Sequence, residues 1–182
     1  ISKRGTSHYF HGTAIAMLPD TLSQHAALKP LEDRNAVVCR LTVSAEGEVT
    51  QAEIVLALVQ SKAKLSYPEV EDVFQEKAPH TFTDELSHLQ NCFRALRQRR
   101  EACELVIEHR PEHRWIMNDE KQITSIERVE KKSSQLLVEE CMVAANRAIA
   151  NALKEAQRPG PFVTHAGIRR DRAEEAQEFL KR

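Results

Sequence analysis

Apolar positions follow two rhythms along this 182-residue chain. Val37, Cys39, Leu41 and Val43 alternate with other residues, the period of a half-buried strand. Ala45-Glu46-Gly47-Glu48 supplies a turn, with Gly47 free to take a positive φ. Val49, Ile54, Leu56 and Leu58 lie on the return, so 36–60 read as a β-hairpin. Ser66-Tyr67-Pro68-Glu69 has the spacing of a capping box with proline in the first helical turn. The following Val70, Val73 and Phe74 share one helical face. A second helix is predicted from Thr83-Asp84, with Leu86, Leu89, Phe93 and Leu96 at helical spacing. Leu105–Glu108, Arg114–Met117 and Ile123–Val129 read as further strands, with a turn at Asn118-Asp119-Glu120. The longest helix is expected from about Ser133 to Ala156, stopped by Pro159-Gly160-Pro161. Phe162 to His165 suggests a short strand, and Asp171 opens a last helix presenting Ala173, Ala176 and Leu180 on one side. Residues 1–35 show no period beyond a short helix in Thr21–Leu31. The fold class is α+β, hairpins packed with helices.

Composition narrows the function. Apolar residues are 41% and charged residues 29% of the chain, which argues against disorder. The net charge of −1 excludes a wholly basic nucleic-acid binder and leaves a local basic channel open. No apolar run approaches 18 residues, so no membrane span is expected. The polar start Ile1-Ser2-Lys3-Arg4-Gly5 is not a signal peptide, and an opening without Met suits a fragment or a processed product. Cys39, Cys92, Cys103 and Cys141 have no CxxC spacing and read as free, buried thiols.

Several patterns invite a chemical reading. His109-Arg110-Pro111-Glu112-His113 has the letters of an inverted zinc-protease motif, but Pro111 breaks the helical turn that motif needs. His8 and His11 lack nearby acidic or Cys ligands. Arg94, Arg97, Arg99 and Arg100 cluster late in the second helix, either complementing its dipole or forming a phosphate-tracking surface. Arg169, Arg170 and Arg172 form a second such group. The helix from Ser133 is apolar nearly all round, which predicts a buried helix. Glu139, Met142, Val143, Asn146 and Ala150 share one of its faces. The Glu139 carboxylate then serves either a salt-bridged pair inside the fold or a polar strip facing a ligand channel. Tyr9 and Tyr67, the two tyrosines, are core or half-buried filler, or else base platforms. The six aspartates are dispersed, there is no glycine-rich phosphate loop, and the chain offers no complete active site of its own.

Tyr9-x-x-Gly-x-x-Ile-x-Met-Leu-Pro, Leu22-Ser23 and Ala27-Leu28-x-Pro-x-x-x-Arg34 resemble the catalytic (RNB) domain of the ribonuclease II family. So do Cys39-Arg-Leu-Thr-Val-Ser-Ala-Glu-Gly47, Ser61-Lys-Ala-Lys-Leu-Ser-Tyr67 and Leu137-Val-Glu-Glu-Cys-Met-Val-Ala-Ala-Asn146. The order holds from about Tyr9 to Gly167, and Arg110-Pro-Glu-His-Arg-Trp115 is most like the bacterial ribonuclease II branch. The resemblance implies that 1–182 is the central part of such a domain, with an acidic cluster expected upstream and further segments downstream. It implies part of a cytoplasmic, processive 3′→5′ exoribonuclease that hydrolyses single-stranded RNA to nucleoside 5′-monophosphates. Mg²⁺ would activate the attacking water from ligands outside this chain, so the chain alone is expected to be inactive. Its partners would be single-stranded RNA and the remaining segments of the parent chain. Carried over residue by residue, Tyr9 would stack on the 3′-terminal nucleotides and influence product length, Tyr67 would be a second nucleotide contact, and Glu139 would help position the terminal nucleotide and favour RNA over DNA. His165 aligns without an assigned role. The alternative is a non-catalytic, RNB-derived module that binds RNA or protein.

Overall fold

The computed structural model describes residues 5–10, 13–103, 112–118, 120, 122–163 and 170–180. The chain divides into two compact units, 1–148 and 149–182. The described strands form three two-stranded antiparallel hairpins rather than one sheet: β1 (His8–Phe10) with β2 (Thr13–Ile15), β3 (Asp33–Val43) with β4 (Val49–Gln60), and β5 (Glu112–Met117) with β6 (Ile123–Val129). Between them lie α1 (Asp20–Ala26), α2 (Tyr67–Phe74), α3 (Thr83–Cys103) and α4 (Ser133–Glu155), which continues into the second unit. That unit also holds a 3₁₀ turn, Arg170–Arg172, and α5 (Ala173–Leu180). The α+β expectation holds. The expectations for Leu105–Glu108, His11, His109, Arg169 and His165 lie outside the described residues.

The alternation of β3 and β4 produces a long hairpin in which Val37 faces Leu56 and Cys39 faces Ile54. Ser44 organises its turn: its Oγ accepts from the N–H groups of Glu46 and Glu48, and its carbonyl accepts from Gly47 N–H. Gly47 has φ +76°, and its missing Cβ leaves room for the Ala95 carbonyl of α3. The turn therefore seats directly on that helix. Val37, Leu56 and Leu58 are exposed among the described residues, so one apolar face of this hairpin has no cover in them.

Helix α2 starts as its sequence dictates. The Ser66 hydroxyl accepts from Glu69 N–H, and the Glu69 carboxylate accepts from Ser66 N–H at 2.6 Å. Those hydrogen bonds hold the Glu69 carboxyl below the usual carboxylate range. At the other end Glu76 adopts φ +55° and closes the helix through Val73 O. Helix α4 likewise ends on Gln157 at φ +50°, with Arg158 N–H returning to Leu153 O, two residues before the proline expected to stop it.

The core of the first unit gathers residues of α2, α3 and α4: Val73, Leu86, Phe93, Leu137, Ala144 and Ala148. Buried Glu71 joins two of these helices. One carboxylate oxygen accepts from Gln75 at the C-cap of its own helix, and the other accepts from Ser134 N–H in the first turn of α4 at 3.1 Å. An acid from a neighbouring helix thus caps an α4 donor that has no partner within α4 itself. Glu71→Ala should strand that N–H and cost about 1–3 kcal/mol. Faster amide exchange confined to the first turn of α4, with a lower unfolding midpoint, is the expected readout.

Three expectations are corrected. β1 and β2 pair where no period was visible, because each strand is only three residues long. Their pairing is tied down by Met17 N–H donating to Ser7 Oγ. Phe162 and Val163 are irregular rather than a strand. Helix α4 is not buried all round: Ser134, Leu137, Glu140, Ala144 and Ala148 form the buried stripe, while Val138 and Met142 are exposed. The face carrying Met142 and Asn146 is therefore an outer one, and the buried acid is Glu140 rather than Glu139.

Candidate nucleic-acid interface

Two adjacent acids of α4 meet two arginines of α3. Glu140 is 2% exposed, and its Oε1 accepts from Arg97 Nη1 at 3.1 Å and from Arg100 Nε and Nη2 at 3.1 and 2.6 Å. Helical spacing places Arg97 and Arg100 on one side of α3. Arg97 also pairs with Glu101 on its own helix at 2.6 Å. A carboxylate this deeply buried is tolerated because its negative charge is answered by two cations. Arg97 and Arg100 are therefore not a free phosphate surface, while Arg100, in the last turn of α3, also complements that helix's dipole. Arg97 and Arg100 are consumed by the helix–helix contact, and Arg99 reaches Glu48 in the β3–β4 turn at 3.7 Å.

Glu139 stands at the edge of this network. Its Oε1 accepts from Arg100 Nη2 at 3.2 Å and its Oε2 from Lys131 Nζ at 3.3 Å. Its side chain remains 38% exposed. Partial burial opposes ionisation, but Lys131 and then Arg100 outweigh it and hold the carboxyl below the usual carboxylate range. Glu139 is thus an oriented anion with lone pairs left for a ligand donor. Glu139 is salt-bridged, as one of its two sequence readings has it, but at the edge of the fold rather than inside it.

Tyr67 is the first residue of α2 and is 48% exposed. It lies one turn before Glu71, whose partner Ser134 lies five residues before Glu139, about 7.5 Å along the helix. The Glu71 link thereby relates Tyr67 to Glu139 through two joined helices. Tyr9 is the middle residue of β1 and is 83% exposed. Among the described residues no hydrogen bond or ring contact joins Tyr9 to Tyr67 or Glu139. Neither tyrosine lies in the core: Tyr9 is exposed and Tyr67 is half-buried.

Other chemistries fit poorly. Burial raises the Cys92 thiol, and burial together with Cys92 and Glu140 raises that of Cys141, so neither is an activated thiolate. The cysteines are free, but Cys39, Cys92 and Cys141 are half-buried and Cys103 is exposed, not fully buried as expected. Among the described residues no three His, Cys, Asp or Glu side chains gather as a metal site. The adjacent acids of α4 are already occupied by Arg97, Arg100 and Lys131, so these residues do not fit Mg²⁺. No described helix is long and apolar enough to cross a membrane.

Comparison with known proteins decides the family. The RNB domain model matches residues 1–182. The chain belongs to the RNB family. Ribonuclease R of Escherichia coli K12 is 34% identical over 170 residues, covering 89% of this chain and 21% of that protein. Exoribonuclease 2 of Yersinia enterocolitica is 31% identical over 186 residues, covering 98% of this chain and 29% of that protein. Both branches of the RNB family are matched at similar identity. The chain spans about a fifth to three tenths of the length of these curated relatives. In fold, it resembles Mycoplasma genitalium RNase R, solved in complex with ribose-methylated single-stranded RNA, with a TM-score of 0.89 at 21% identity, covering 97% of this chain and 28% of that one. An active-site mutant of the Dss1 exoribonuclease from Candida glabrata gives a TM-score of 0.81 at 19% identity, covering 98% of this chain and 24% of that one. The RNB match extends over the hairpins as well as the helices that hold Glu139.

Proposed function

We propose that this RNB segment holds the 3′ end of single-stranded RNA within a cytoplasmic 3′→5′ exoribonuclease that releases nucleoside 5′-monophosphates. The observation that carries the reading is the Glu139 carboxylate: ionised, gripped at both oxygens and still open to solvent. Such an acceptor suits a ribose 2′-hydroxyl, the group that separates RNA from DNA. The exposed rings of Tyr9 and Tyr67 offer stacking surfaces that accept any base. The match to the RNB model along the chain and the curated relatives named as ribonucleases support the same function. The similar fold of an RNase R solved with single-stranded RNA agrees with it. Nothing favours the alternative of a non-catalytic module. RNB nucleases are generally dependent on a divalent metal. Mg²⁺, on this reading, is held by parts of the enzyme outside this chain.

The test is digestion of 5′-labelled single-stranded RNA by the complete encoded protein. Tyr9→Ala and Tyr67→Ala should each weaken the grip on short RNA, by about 1–3 kcal/mol per lost stack, and shift the length of the final product. An unchanged product ladder in both variants rejects the stacking role. Absence of 3′→5′ degradation by the parent protein with Mg²⁺ present rejects the exoribonuclease reading.

A further inference from the structure

We infer that Arg100 is a positioning residue for Glu139, coupling the buried α3–α4 ion pair to ribose recognition. The inference rests on the reading of Glu139 as the 2′-hydroxyl acceptor and deepens it. Arg100 bridges two carboxylates with one guanidinium. Nε and Nη2 both donate to Glu140 Oε1, and Nη2 also donates to Glu139 Oε1. Glu140 is fixed in turn by Arg97. The planar fork is thus immobilised by the interior and extends one donor to the surface acid, which leaves the Glu139 Oε1 lone pairs set in direction before any ligand arrives. Lys131, itself exposed, holds Oε2 by a single flexible ammonium. The two supports differ in kind, one a planar fork fixed by the buried Glu140 and the other a single ammonium on an exposed lysine. The acid's direction is therefore set chiefly by Arg100.

Lysine keeps the charge of arginine but has one nitrogen, and a point donor cannot serve both carboxylates in the fork geometry. In the complete protein, Arg100→Lys should keep the Glu140 pairing and the fold. It should also lower discrimination between oligonucleotides ending in a 3′-terminal ribose and a 3′-terminal 2′-deoxyribose. The expected loss is about tenfold in the ratio of kcat/KM values, the scale of one hydrogen bond to a charged group. Glu139→Gln should lower the ratio similarly, and the double variant Arg100→Lys/Glu139→Gln should fall no further. Lys131→Met, at an exposed position, should lower it less.

The outcomes separate the two levels. A lowered ratio in Glu139→Gln with an unchanged ratio in Arg100→Lys overturns this inference and leaves the Glu139 reading standing. An unchanged ratio in Glu139→Gln overturns both. Additive losses in the double variant assign Arg100 a contact of its own with the substrate and overturn the positioning role. Should Arg100→Lys fail to fold, Arg100→Gln, which keeps a planar amide donor, takes its place in the same cycle.

Discussion

The Glu140→Leu protein is expected to lose about 3–5 kcal/mol of folding stability, the scale measured when one partner of a buried ion pair is removed. Leucine fills much of the space but leaves Arg97 and Arg100 without the carboxylate they share. Both guanidiniums are largely withdrawn from water, so neither regains full hydration without parting α3 from α4. Glu101→Ala provides the contrast. That pair lies at the surface on the Glu101 side, and its loss should cost no more than about 1 kcal/mol. Denaturant unfolding of the complete protein, with amide exchange followed in α3 and α4, checks both. Equal effects from the two substitutions would show that the buried carboxylate holds nothing the surface one does not. Replacing the Arg97, Arg100 and Glu140 triad together by apolar residues should restore much of the stability, but it would leave Glu139 without its inner support.

Gly47→Val should be nearly as damaging, for a reason that begins in the backbone. At φ +76° a β-branched residue is strained by roughly 1–3 kcal/mol wherever it occurs. Here the new Cβ would also lie 2.1 Å from the Ala95 carbonyl oxygen and 3.0 Å from the Arg99 Cβ. The first of these is backbone inside a helix and cannot swing aside. Relief requires the turn to lift from α3, which also pulls Glu48 from Arg99. Overpacking of this kind adds about 1–3 kcal/mol. Gly47→Ala shares both faults at smaller size. When unfolding is followed by heat or denaturant, the midpoint should therefore fall from the parent to Gly47→Ala and further in Gly47→Val. A Gly47→Ala protein as stable as the parent would mean that the turn does not bear on the helix.

The elements most visible in the sequence are those whose cause is local. Ser66 and Glu69 satisfy each other within four residues, so the start of α2 is written beside itself. The β3–β4 hairpin follows from alternation and one glycine, and the start of α4 falls at Ser133, as its pattern predicts. What local pattern leaves open is decided at a distance. The roles of the α3 arginines depend on an acid about 40 residues later. Their i, i+3 spacing opposite a Glu-Glu pair was the available signal, and it becomes decisive only once the two helices are known to meet. Tyr9 lay in a stretch without period because three-residue strands are too short to show one. Membership of the RNB family was legible because motif order is a property of the whole chain.

Glu139 and Glu140 are identical side chains, separated by about 100° of helical roll. Nothing in their chemistry says which should look inward. The choice is made by the interior bond to two guanidiniums at Glu140 and by the clasp of Glu71 on Ser134, which together peg α4 at one angle like a key in its lock. Turned forward by a single residue, the same rod would carry Glu139 into the interior and Glu140 to the half-buried place that Cys141 now holds, drawing Leu137, Ala144 and Ala148 toward water as it did so. The costly interior charge thus chooses between two nearly equivalent faces, and the surface chemistry of this segment depends on that orientation.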